Sequence, residues 1–213
     1  MLLTKLQALL HELYALDVQY GVDDFLITDA GFARALDAGG REVDEKLLIA
    51  EADGEAEVAL YLEADLLGRL AERDPLTCLD ADNLADFWAA LEGVSHFTYY
   101  AWNAQREKSV TLFELELQAE VDKFVTTGLL LKQQSGREPH ELHGWLFDKP
   151  RLDDELHGAE RERYRRANRY AGKYCRRLAP ALTRGADEAA VQRELRTFYR
   201  LSQQSKLAHI DAH

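Results

Sequence analysis

The stretch from Leu84 to Val125, LADFWAALEGVSHFTYYAWNAQREKSVTLFELELQAEVDKFV, constrains this chain more than any other. Its pattern predicts two helices joined by a short polar turn, each apolar on nearly every side. A helix that is hydrophobic all round is buried. Yet this pair carries Glu92, Ser95, His96, Glu114, Glu116, Glu120 and Asp122. Ionisable groups taken out of water need partners, so any unusual chemistry is expected here.

On the first central helix, expected from about Leu84 to Trp102, Glu92, His96, Tyr99 and Tyr100 share a sector of roughly 100°. Gly93, beside them, is expected to let another backbone approach closely. The second helix has a legible start. Thr111-Leu-Phe-Glu114 is a capping box, with Val110 and Leu115 placed as a hydrophobic staple. That explains Glu114 structurally. Glu116 and Glu120, one turn apart among Phe113, Leu117 and Phe124, lack such an explanation. Asp122 and Lys123 fall on another sector and are expected to face solvent.

Upstream, Leu2 to Gln19 reads as an amphipathic helix ended by Gly21. In EKLLIAEADGEAEVALYLEAD, Asp53-Gly54 is a preferred two-residue hairpin turn. That turn sets Ile49 opposite Val58 and Leu47 opposite Leu60, with Ala50, Glu57 and Tyr61 on the other face. A lone hairpin is marginal in water, and DFLITD (24–29) can supply a third strand. GFARALDAGG is a helical turn and then a loop at Gly39-Gly40. A helix over 64–73 stops before Pro75, and Asp80, Asp82 or Asn83 can cap the next.

Downstream, Ser135-Gly136 is the best sub-boundary, at 133–138. Pro139 suits the first turn of a short helix. A helix over 159–178 carries Arg163, Arg165, Arg166, Arg169, Lys173, Arg176 and Arg177 on one half, with Pro180 limiting it. A last helix over 188–207, capped by Asp187, leaves a frayed HIDAH tail. The expected fold is α+β and predominantly helical. A small antiparallel sheet packs with a bundle of five or six helices in a single compact unit, 1–213.

Charge divides along the chain. Met1 to Gly136 carries 10 Lys+Arg against 26 Asp+Glu, and Arg137 to His213 carries 16 against 12. The two parts complement each other or present two surfaces to partners. Two distant cysteines, Cys78 and Cys175, imply free thiols and a cytoplasmic setting. No apolar run reaches the roughly 18 residues needed to span a bilayer, so no membrane partner is expected.

Three functional expectations follow. Charge segregation without an enzyme motif points first to a non-catalytic cytoplasmic adaptor that binds a protein partner, with self-association open. The second is a metal-dependent enzyme using Glu92, His96, Glu116 and Glu120. Glu and His presented inward from neighbouring helices are how carboxylate-bridged metal bundles are built, although the i+3 Glu-x-x-His spacing of those bundles is i+4 here and occurs once. Apart from such a divalent metal, no cofactor is expected. The third is nucleic-acid binding through Arg165, Arg166, Arg169, Lys173 and Arg176, which the net charge of −12 opposes. His140 and His143 read as loop residues rather than ligands. There is no G-x-S-x-G elbow, phosphate loop, HExxH or dinucleotide fingerprint.

Overall fold

The computed structural model describes residues 1–213 apart from 38–40, 42, 53–54, 137–140, 149–155, 184–187 and 213. The chain runs α1 (Leu2–Tyr14), a 3-10 turn (Val22–Phe25), β1 (Leu26–Ile27), α2 (Ala30–Leu36), β2 (Glu45–Ala52), β3 (Glu55–Leu62) and α3 (Ala64–Glu72). There follow α4 (Leu84–Ala104), α5 (Leu112–Ser135), a π turn (Gly144–Asp148), α6 (Gly158–Thr183), α7 (Glu188–Arg200) and α8 (Gln203–Asp211). The fold is predominantly helical α+β, as the periodicity predicts.

α5 lies between α4 and α6, while α4 also meets α1, α3 and the sheet. The middle of α5 therefore has no solvent side, and Asp122 and Lys123 are buried rather than exposed as the helical wheel predicts. The wheel assigns polar residues outward, but here they turn toward internal partners. The capping box forms as expected: Thr111 accepts from the Glu114 backbone, and Glu114 reaches back to the Thr111 N–H at 3.0 Å.

β2 and β3 pair in the expected register, Leu47 with Leu60 and Ile49 with Val58. The Asp53-Gly54 turn itself lies outside the described residues, as do Gly39-Gly40, Pro139, His140, Asp187 and much of the 133–138 boundary. The sheet is mixed rather than antiparallel, because β1, from the DFLITD segment, joins the β3 edge in parallel. Side chains alternate across a strand, so Glu45 heads the row of Leu47 and Ile49, on the face shared with Leu60 and packed on α4.

Several boundaries differ from expectation. α1 stops at Tyr14, before Gly21, with Ala15 left-handed at φ 50°. Arginines of α7 hold that end: Arg196 donates to Leu13 O and Arg200 to Tyr14 O, at 3.2 and 3.0 Å. Cations suit a helix C-terminus, where the backbone carbonyls carry partial negative charge. Asn83 does not cap α4 with its side chain. It ties the preceding loop instead, through the Asp80 N–H and the Arg73 and Cys78 carbonyls. Pro180 lies inside α6, since a proline removes one bond of the ladder and the others carry the helix further. The last helix is two, broken where Ser202 caps α8 by accepting from Ser205 N at 3.4 Å. His209 and Ile210 of the supposed tail belong to α8, and Ile210 is buried. Cys78 and Cys175 are both free.

Candidate metal centre

The site grows from one missing side chain. A Cβ on Gly93 would lie 2.9 Å from Leu60 Cδ1, 3.0 Å from Glu45 Cγ and 3.1 Å from Glu45 Oε1. What approaches α4 here is thus the face of the β-hairpin, through its side chains, rather than another backbone. The gap left by Gly93 admits the Glu45 carboxylate between Glu92 and His96, which flank the glycine on α4. Donor atoms of Glu45, Glu92 and His96 all lie within 4.8 Å of one another.

α5 supplies the opposite wall. Glu116 Oε2 lies 3.7 Å from His96 Nε2, and Glu45 Oε1 lies 3.5 Å from His96 Nδ1. The imidazole stands between two carboxylates, one on each nitrogen side. It is 6% exposed, as is Glu116. Neither His96 Nε2 nor Glu45 Oε1 has a hydrogen-bond partner. Each meets its charged neighbour at ion-pair distance without a hydrogen bond, in an interior where buried polar atoms are usually hydrogen-bonded.

Glu120 completes the acidic set. Lys123 Nζ bridges Glu92 Oε2 at 2.5 Å and Glu120 Oε1 at 2.9 Å. Asn168 of α6 donates to the other oxygen of Glu120 at 2.9 Å and to Leu146 O at 3.0 Å. Arg163, predicted on the exposed arginine face, instead places Nε 3.9 Å from Glu116 Oε1. The four residues Glu92, His96, Glu116 and Glu120 are therefore brought together. Glu45, Lys123 and Asn168 join them without having been foreseen, whereas the arginine-rich helix is where a partner for Glu116 and Glu120 is expected.

The electrostatics follow from this geometry. Burial alone would lower the His96 pKa, but Glu45, Glu116 and Glu92 around it outweigh that and raise it to about 9. Burial raises Glu116 to about 7, aided by Glu92 and Glu45 and opposed by His96. Burial also raises Glu45. At Glu92 the Lys123 and His96 charges overcome burial and hold the carboxyl below its usual range. Tyr164 is pushed up by burial and by the nearby carboxylates, Glu116 first, so its phenol stays neutral. Four carboxylates face two fixed cations, Lys123 and Arg163. The deficit of two positive charges matches one divalent cation, or two protons held on His96 and Glu116.

A second buried polar cluster lies further along α4 and α5. Asp122 accepts from Tyr14, from Ser95 at 2.6 Å and from Gln118 at 2.9 Å. Gln118 Oε1 in turn receives Lys206 Nζ of α8 at 2.7 Å. Lys206 is fully buried against the rings of Tyr99 and Phe198, 4.5 and 4.9 Å from their centroids. Burial lowers its pKa to about 7. Each member of this cluster has a partner, so it reads as a core tie between α1, α4, α5 and α8.

The remaining arginine-face residues stay on the surface. Arg165 pairs with Glu162 at 2.7 Å, Lys173 with Asp211 at 3.0 Å, and Arg176 approaches Asp148 at 3.8 Å. Arg166 and Arg169 lie over the Tyr170 ring at 5.8 and 5.3 Å. His143 contacts the Gly172 carbonyl at 2.9 Å, and His157 is exposed. No protein-family model, curated protein or solved structure matches the chain. No helix among the described residues is long and apolar enough to cross a membrane.

Proposed function

We propose that this chain is a metal-dependent protein that holds one divalent cation between α4 and β2, with Glu45, Glu92 and His96 as ligands and Glu116 beside them. The observation that carries this reading is the buried His96 imidazole, set between two carboxylates, with Nδ1 3.5 Å from a Glu45 Oε1 that has no hydrogen-bond partner. Ligands about 2.0–2.2 Å from one ion lie roughly 3–4 Å apart, so the 3.5 Å His96–Glu45 separation already fits and the 4.8 Å limit requires only a small contraction. One imidazole with carboxylates suits manganese, iron or zinc. Three protein ligands leave a coordination position for water. A dication held there would lower the pKa of that water, and Glu116, 3.7 Å from His96 and kept ionised by the cation, would be the neighbouring carboxylate to accept its proton. The chemistry such a centre would supply is activation of a bound water.

The adaptor reading draws less support. Part of the charge segregation is used internally, by Arg163 toward Glu116 and by Arg196 and Arg200 on the end of α1. Elemental analysis of chain purified without chelators tests the proposal. About one metal per chain is expected, lost in Glu92→Gln and His96→Gln. A metal-free chain whose melting is unmoved by Mn, Fe or Zn overturns it.

A further inference from the structure

Glu92 faces two ways. Its carboxylate lies in the group formed with Glu45 and His96, and its Oε2 meets Lys123 Nζ at 2.5 Å. Lys123 also holds Glu120 Oε1 at 2.9 Å and is 8% exposed. The ammonium is thus a cation bridged by two carboxylates, one of which it shares with the candidate metal position. This is the place a second metal occupies in a carboxylate-bridged pair, where shared glutamates offset two cations. Asn168 fixes the far oxygen of Glu120 from α6, and so holds that carboxylate toward Lys123.

We propose that Lys123 is the built-in occupant of a second cation position, making this a one-metal centre, and that removing its side chain opens the position to a second divalent ion. The inference rests on the metal-centre reading above. Its chemistry is direct. Lys123→Ser leaves Glu92 and Glu120 facing each other across space vacated by a four-carbon stem, without the ammonium between them. The two carboxylates, with Glu120 still held by Asn168, form an oxygen-only set suited to Mn²⁺. Lys123→Met removes the charge but keeps the bulk, so the position stays closed.

The test uses the full chain stripped with chelator, saturated with Mn²⁺, desalted and analysed for metal. The intact chain is expected to retain one manganese, Lys123→Ser two, and Lys123→Met one. Circular dichroism checks that each variant is folded. One manganese in folded Lys123→Ser overturns the inference and leaves the one-metal reading in place. None in the intact chain overturns both. A second measurement needs no variant. Electron paramagnetic resonance of the Mn²⁺-saturated intact chain should show the six-line signal of isolated ions. The multiline signal of a coupled pair would mean that Lys123 does not hold the second position.

Discussion

Metal binding at this centre must displace protons, and the structure sets how many. In the apo chain His96 holds its proton up to about pH 9 and Glu116 up to about pH 7. A coordinating imidazole is neutral, and a dication beside Glu116 keeps that carboxylate ionised. From those two values the chain should release about two protons per metal at pH 6, about one at pH 8 and almost none at pH 10. The slope of log affinity against pH equals the number released, so affinity rises about a thousandfold from pH 6 to pH 8. Mn²⁺ calorimetry in buffers of different ionisation enthalpy reads the proton count directly. In Glu116→Gln the count at pH 6 should fall from about two to about one. Affinity flat from pH 6 to 8, as for an exposed carboxylate cluster, refutes the reasoning.

Other perturbations have equally definite outcomes. Gly93→Ala puts a methyl within 3.1 Å of Glu45 Oε1, so Mn²⁺ affinity should fall about tenfold or more while the helix content is kept; unchanged affinity contradicts the placement of Glu45. Asp122→Ala strips the shared acceptor from Tyr14, Ser95 and Gln118 and should cost about 3–5 kcal/mol in urea unfolding; a loss below about 1 kcal/mol would count against a buried network. Lys206 titrates near 7 in the folded chain, below its ordinary 10.5, so the unfolded chain binds the extra proton between those values and folding gains stability as pH rises through them. Relative to Lys206→Met, the parent should therefore gain about 4–5 kcal/mol between pH 7 and 10.5, and a stability difference independent of pH would contradict this burial of the lysine.

Much of this arrangement is legible in the residues alone. The hairpin register follows from two-residue turn chemistry and alternation, and both are local. The capping box at Thr111 is likewise local. The gathering of Glu92, His96, Glu116 and Glu120 follows from helical spacing on two neighbours that are apolar all round. Glu45 escapes such reasoning because it sits on a strand 47 positions before Glu92, and only the gap at Gly93 brings it in. A glycine in mid-helix between a glutamate and a histidine was the available signal, and it points to close approach without saying by what. Lys123 and Asp122 are misplaced by the wheel for a related reason. A helix covered on opposite sides by α4 and α6 turns polar residues toward polar residues of its neighbours, and the identity of those neighbours is long-range information. Arg163 differs from Arg165 and Arg169 only in its position around α6, and the sector boundary is set by how α6 rolls on α5. The break at Ser202 had a local signal, Ser-Gln-Gln-Ser, whose cap can start a new helix after Leu201.

The most direct measurement is a crystal of the chain grown with Mn²⁺, with data collected for anomalous scattering from manganese. The account predicts a peak about 2.0–2.3 Å from carboxylate oxygens of Glu45 and Glu92 and from a ring nitrogen of His96. A map empty there, with His96 still between Glu45 and Glu116 and manganese bound only at surface carboxylates, would contradict it.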